Sequence, residues 1–330
     1  MDTFKSFEKE LYSINESNFE DIALKLFRLQ ARENRTYKDY ITNLGVNVAK
    51  VGAIQEIPFL PISFFKTHKI VSGKWKEEVS FESSGTTASS PSRHFVKDIN
   101  LYLGVARRSF ELRYGNLNNY HILALLPSYL ERKGSSLVSM IDNFIKLTGS
   151  KYSSFYLNEL DSLQVIMERL SSDPEGRKIL LWGVSFALLD LAERAPKDLR
   201  NVVVMETGGM KGRRRELTRE ELHGLLKGSF NVLSVQSEYG MTELMSQAYT
   251  SPEGYFVCPP WMKTLVRDIN DPFSLSKSDK SGGINVIDLA NIYTCAFIET
   301  QDLGKVYQGG NFEVLGRIDN SDIRGCNLLV

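Results

Sequence analysis

Lys178–Gly209 reads KILLWGVSFALLDLAERAPKDLRNVVVMETGG. Ile179–Trp182 and Val202–Met205 are short apolar runs rich in strand formers, and the second ends in paired glycines. Ser185–Arg194 between them carries apolar residues at helical spacing. The same alternation continues on both sides. Strand-like runs occupy His121–Leu126, Tyr152–Leu157 and Val232–Val235. Helical segments fall near Ile99–Arg113, Ser136–Lys146, Glu159–Leu170 and Thr218–Lys227, the last opening on a Thr218/Glu221 capping box. Apolar strands alternating with amphipathic helices predict an α/β fold with a mostly parallel sheet and helices on both faces.

Upstream, Asn18–Asn43 reads as helix, with Asn18 as its N-cap and an apolar face of Ile22, Leu24, Leu26, Phe27 and Leu29. Ile57–Lys66, IPFLPISFFK, holds two prolines and is extended or turn-like, though very apolar for a connector. Past Gly254, glycine, proline and aspartate become frequent. Thr264–Arg267, Ile284–Ile287, Thr294–Ile298 and Phe312–Leu315 read as short strands of a C-terminal β-rich subdomain. The expected organisation is a helical segment over 1–78, a nucleotide-binding α/β core over 79–253 and the β-rich part over 254–330.

The chain has 330 residues, 40 basic and 40 acidic, so its formal net charge is zero. That balance gives no reason to expect a nucleic-acid partner or a polybasic anchor. No run approaches the roughly 18 apolar residues of a membrane span, and the N-terminus lacks the pattern of a secretory signal. Cys258, Cys295 and Cys326 are odd in number and widely spaced, without metal-binding pattern; a reducing cytoplasm is the simplest setting.

Five segments carry candidate chemistry. Phe81–Arg93, FESSGTTASSPSR, follows a strand and is crowded with hydroxyls around Gly85. Backbone N–H groups, hydroxyls and Arg93 suit phosphate oxygens, although the same composition fits a solvated turn, and it is no Walker loop. Gly208 and Gly209 end a strand and let a flat ligand lie against the backbone. Ser237–Glu243, SEYGMTE, offers a ring for stacking, a hydroxyl and a carboxylate suited to Mg²⁺. Glu299–Gly304, ETQDLG, places Asp302 in a turn, where a carboxylate can accept both ribose hydroxyls. Gly316–Gly325, GRIDNSDIRG, is a charged segment after a strand.

In this order the five segments resemble the motif series of the adenylate-forming superfamily of acyl-CoA synthetases, luciferases and nonribosomal adenylation domains. IPFLPISFFK ahead of the hydroxyl-rich loop looks most like the acyl-protein synthetase (LuxE-type) and phenylacetate–CoA ligase branch. The resemblance runs from Ile57 onward. It implies that Ser83, Ser84, Gly85, Thr86 and Thr87 grip the phosphates of ATP and that Gly208 and Gly209 lie beside the adenine. Tyr239 and Gly240 would form the adenine and acyl-pocket wall, Thr242 a phosphate contact and Glu243 the Mg²⁺ ligand. Asp302 and Arg317 would bind the ribose, and Asp319 would be the hinge.

There are two departures. The phosphate loop lacks the Gly and Pro-Lys that many relatives carry after SSGTT. The sequence also stops at Val330, soon after Asp319, so no separate lid domain with its lysine is expected; Lys66 and Lys211 are stand-in candidates. The resemblance implies ATP-dependent activation of a fatty or other hydrophobic acid as its acyl-adenylate, then transfer to a thiol. Cys326, beside Arg324, is one candidate acceptor; CoA and a carrier or partner protein are the others. Cys326 also suits a buried structural thiol. A homo-oligomer is compatible with the sequence, and a catalytically inactive nucleotide- or acyl-binding protein is the reading from another class. His121 reads as core or pocket wall, the basic run after Gly209 as a solvated loop or a CoA or carrier contact, and Trp182 and Phe186 as core or acyl-tunnel wall.

Overall fold

The computed structural model describes residues 3–83, 90–126, 134–156, 160–170, 176–194, 199, 202–208, 215, 217–276 and 279–318. The chain forms two compact units. One comprises Met1–Asp98, Glu243–Ser246 and Cys258–Val330, and the other Ile99–Thr242 and Gln247–Val257.

The first unit opens with helices α1 (Thr3–Glu10), α2 (Phe19–Glu33) and α3 (Arg35–Asn43). The single helix expected over Asn18–Asn43 is thus two, broken at Asn34. The buried Asn34 side chain accepts from the Tyr37 N–H at 3.0 Å and donates to the Thr294 carbonyl at 3.0 Å. An asparagine that competes for backbone groups in this way ends one helix and caps the next. Asn18 does not cap α2 with its side chain; its Oδ1 accepts from the Asn15 N–H instead. The apolar connector is core: Leu60–Pro61 forms β1, Phe64–Thr67 forms α4, and Phe59, Tyr37 and Phe27 surround Phe297. Strands β2 (Val79–Glu82) and β3 (Arg93–Val96) pair antiparallel.

The second unit runs α5 (Ile99–Tyr114), β4 (Tyr120–Leu125), α6 (Ser136–Thr148), β5 (Ser154–Phe155), α7 (Leu160–Leu170), β6 (Lys178–Val184), α8 (Ser185–Arg194), β7 (Val202–Thr207), α9 (Arg219–Phe230), β8 (Val235–Tyr239), β9 (Ala248–Thr250) and β10 (Phe256–Val257). Its sheet has the order β10-β9-β8-β7-β6-β4-β5. Pairs from β5 to β8 are parallel, and β9 and β10 are antiparallel. Both faces are covered. Trp182 meets Phe110 of α5 and Phe144 of α6, while its neighbour Gly183, pointing to the opposite face, lies against Leu188 of α8. The Thr218/Glu221 capping box forms as expected. Strand β8 begins at Val235, three residues later than expected, because Asn231 is left-handed and Leu233 is 99% exposed.

The first unit closes with the antiparallel meander β11 (Met262–Arg267), β12 (Ser281–Asp288), β13 (Phe297–Val306) and β14 (Phe312–Arg317), and β1 joins β13 in parallel. Strand β13 starts at Phe297 rather than Thr294, because the preceding stretch is a loop held by hydrogen bonds of Asp288, Asn291 and Thr294. Asp302 therefore lies inside β13 and not in a turn. The architecture is α/β, a mostly parallel sheet with helices and an antiparallel β-rich portion, as the sequence predicts.

Candidate active site

In the first unit the predicted site residues converge on Glu243. The Ser92 N–H donates to Ser83 Oγ at 2.9 Å, and the Ser83 N–H donates to the Ser92 carbonyl at 3.0 Å. The Ser92 hydroxyl donates in turn to the Glu243 carboxylate. Burial raises the Glu243 carboxyl above its ordinary value; Ser92, its own backbone N–H and Lys66 oppose that rise, and Asp302 adds to it. Ser92, Lys66, Glu243 and Asp302 thus share one electrostatic neighbourhood, to which Ser83 is joined through Ser92.

The backbone there is held rigidly. Asn291 donates to the Glu243 carbonyl at 2.9 Å. Asp288 accepts from the N–H groups of Met245 and Ser246 and from the Ser246 hydroxyl, which also accepts from the Trp261 indole. Buried carboxylates with several donors are structural anchors, and this one fixes the residues that follow Glu243.

Asp302 and Arg317 face each other across β13 and β14, with Arg317 Nε 3.9 Å from Asp302 Oδ1 and its terminal nitrogen 3.3 Å from Gln301 Oε1. Beneath them Arg267 is buried. It donates to the carbonyls of Ile284 and Thr300 and to Asn285 Oδ1, and it lies 3.6 Å from Glu299. Arg267 was not anticipated from sequence; only its place at the end of a strand pattern marked it.

The second unit gathers the remaining predicted residues at the C-terminal ends of its parallel strands. Gly208 follows β7 with φ +69°, a conformation that favours glycine. The Ser185 hydroxyl donates to the Gly208 carbonyl and to Glu206, whose carboxylate lies 3.6 Å from His223. Tyr239, at the end of β8, is buried against Phe256, while Gly240 is exposed and Thr242 half-buried. Sequence reading gave Glu238 no role, yet burial pushes its carboxyl up to about 7, opposed by the Thr207 hydroxyl and reinforced by Glu206.

Ser84, Gly85, Thr86, Thr87, Gly209, Lys211, Asp319 and Cys326 lie outside the described residues. Arg93 is exposed and pairs with Glu82 at 3.2 Å. His121 is buried and bonded to Ser150, as core. Cys258 and Cys295 are free thiols, and burial pushes both up to about 12, which suits structural cysteines.

The search of family models finds no match, and no curated protein matches. Solved structures do. The chain resembles 2-hydroxyisobutyryl-CoA ligase, solved with 2-HIB-AMP and CoA, at 11% identity and a TM-score of 0.66, covering 91% of this chain and 69% of that one. It resembles ATP-bound MatB from Rhodopseudomonas palustris at 16% identity and a TM-score of 0.54, covering 72% and 47%. A luciferase-like enzyme from the mealworm Zophobas morio matches at 18% identity and a TM-score of 0.51, covering 74% and 58%. The chain shares the fold of these enzymes. Its matched part spans about half the length of MatB.

Proposed function

We propose that the protein activates a carboxylic acid with ATP, forming an acyl-adenylate, and passes the acyl group to a thiol. The observation that carries this reading is the Ser83–Ser92–Glu243 chain of hydrogen bonds in electrostatic reach of Lys66 and Asp302. It ties the start of the hydroxyl-rich loop to the carboxylate of the EYGMTE segment, as one phosphate-handling site requires. The adenylate-forming fold supports the same reading.

In the first step a carboxylate oxygen of the acid attacks the α-phosphorus of ATP. The bond from that phosphorus to the bridging oxygen breaks, and pyrophosphate leaves with the electron pair. In the second, a thiolate sulfur attacks the acyl carbon, the carbon–oxygen bond to AMP breaks, and AMP leaves. Protein groups act mainly by orienting reactants and offsetting phosphate charge. Ser83 to Thr87, Thr242 and Lys66 serve that end. Asp302 accepts the ribose hydroxyls beside Arg317, and Gly208, Gly209, Tyr239 and Gly240 receive the adenine.

Among the described residues no group of three or more His, Cys, Asp or Glu gathers to hold a metal. Mg²⁺ takes one or two carboxylates and completes its shell with phosphate oxygens and water. Glu243 is the residue that would hold it, and the ion would neutralise phosphate charge.

Cys326 is the proposed acceptor, in the manner of acyl-protein synthetases. Free CoA is the second reading, favoured by the fold shared with the CoA-bound 2-hydroxyisobutyryl-CoA ligase. Two free thiols, Cys258 half-buried and Cys295 buried, agree with a reducing cytoplasm as the working compartment. ATP–pyrophosphate exchange across a panel of acids tests the activation step, and absence of acid-dependent exchange would refute it. Cys326→Ser then separates the acceptors: exchange retained with loss of a covalent acyl-enzyme supports Cys326, whereas unchanged acyl-CoA formation supports CoA.

A further inference from the structure

We propose that Thr207, Glu238, Gln247 and Tyr249 form a recognition end for an amino group carried by the acid, so that the substrate is an amino-substituted carboxylic acid rather than a simple fatty acid. This rests on the adenylation reading above and names the substrate class within it.

Strand register places the four side chains together. Thr207 of β7 is the partner of Glu238 of β8, and Glu238 is the partner of Tyr249 of β9. Residues opposed in this way project to the same face. Gln247 lies two residues before Tyr249 and faces the same way. An ideal Cβ at Gly240 would lie 2.2 Å from Glu238 Oε1 and 3.2 Å from Gln247 Cγ, so both side chains meet over that glycine. The absence of a side chain at Gly240 is what leaves the carboxylate its place. Glu238, Gln247 and Tyr249 are 9%, 3% and 1% exposed.

Two polar atoms of this cluster lack partners: the Gln247 amide oxygen as an acceptor, and the Tyr249 hydroxyl as both donor and acceptor. Glu238 accepts from the Thr207 hydroxyl. Gln247 Oε1 and the Tyr249 hydroxyl are buried and make no hydrogen bond. Buried polar atoms without partners are destabilising, and an acceptor is satisfied by a donor. The groups acting on the Glu238 carboxyl, besides burial, are the Thr207 hydroxyl and the Glu206 carboxylate, and neither is a cation. Tyr249 is ringed by Phe110, Tyr114 and Trp182 at centroid distances of 5.7, 5.6 and 6.1 Å. A carboxylate, an orphaned amide oxygen and electron-rich rings share a single complement, an ammonium group.

A hydroxyl would bring one donor and no charge, and an alkyl chain would leave both orphaned atoms unpaired. The cluster also sits at the carboxyl ends of β7 and β8, where parallel sheets bind their ligands.

The test is ATP–pyrophosphate exchange with acids matched in skeleton and differing at one substituent. Leucine, 2-hydroxy-4-methylpentanoate and 4-methylpentanoate form one set; phenylalanine, 3-phenyllactate and 3-phenylpropionate another; β-alanine, 3-hydroxypropionate and propionate a third. The other standard amino acids and C8–C14 fatty acids complete the panel. In the wild-type protein an amino acid is expected to exceed its unsubstituted match by about 100-fold or more in kcat/KM. Glu238→Gln should lose most of that preference through KM while keeping exchange with the unsubstituted acid, and Glu238→Leu should improve the unsubstituted acid. Wild-type preference for fatty or unsubstituted acids overturns this inference and leaves adenylation standing. A parallel loss for every acid in a Glu238→Gln protein that is folded by circular dichroism also overturns it. No exchange with any acid removes the adenylation reading and this one together.

Discussion

The Ser92 hydroxyl donates a hydrogen bond to the buried carboxylate of Glu243, while the Ser92 backbone holds Ser83 from both sides. One residue thus couples the segment entering β3 to the proposed Mg²⁺ ligand. Glu243→Gln keeps the shape and removes the charge, so acid-dependent exchange should fall at least about 100-fold with the fold intact. Ser92→Ala should cost less, about 10-fold, with an increased Mg²⁺ requirement. Exchange measured against Mg²⁺ concentration checks both.

The acid limb of the pH profile follows from the same contact. Only the ionised carboxylate suits a cation, and burial holds the Glu243 carboxyl above its ordinary value. Exchange should therefore fall, on acidification, at a higher pH than an ordinary glutamate would give. Loss of that limb in Glu243→Gln, in whatever activity remains, is the check.

Asp302 lies across the ladder from Arg317 on two paired strands, over the buried Arg267. Asp302→Ala should raise KM for ATP by about 10- to 100-fold, the worth of a charge-assisted hydrogen bond, and leave KM for the acid nearly unchanged. Equal losses toward both substrates would contradict a ribose-binding role.

Glu238 makes stability depend on pH. Its carboxyl is raised from 4.5 to about 7 in the folded chain, so the folded state binds more protons than the unfolded state between those values. Its contribution is fully present below the unfolded value and is lost as pH rises through 7, to a limit of about 3 kcal/mol. The neighbouring ionisable groups, Glu206, Tyr102 and Tyr249, remain in the variant. Glu238→Gln should therefore be the more stable protein at pH 8 and show a weaker pH dependence over this window in denaturant titration.

Asn34 joins two helices to the loop before β13. Asn34→Ala removes the α3 cap and the bond to the Thr294 carbonyl, at a cost of about 2 kcal/mol or more. Thermal unfolding should show a clear drop in Tm.

The strand–helix alternation was legible because each element carries its own period. Ser185–Arg194 is helix over the expected residues, and β6 and β7 contain the runs Ile179–Trp182 and Val202–Met205. The Thr218 cap was equally local. What escaped were features fixed by distant partners. Asn34 reads as one more helical residue until Thr294, far along the chain, takes its amide. Asp302 reads as a turn residue until β14 pairs with it.

The sequence by itself determined the α/β alternation and the order of the candidate motifs, since both are written in local pattern and chain order. Tertiary structure alone decided that Ser92 binds Glu243, that Arg267 lies under the Asp302 strand, and that Glu238, Gln247 and Tyr249 form one acceptor-rich cluster. The reason is physical. Burial and strand register set the protonation and partnering of a polar side chain, and neither is a property of the residue and its sequence neighbours.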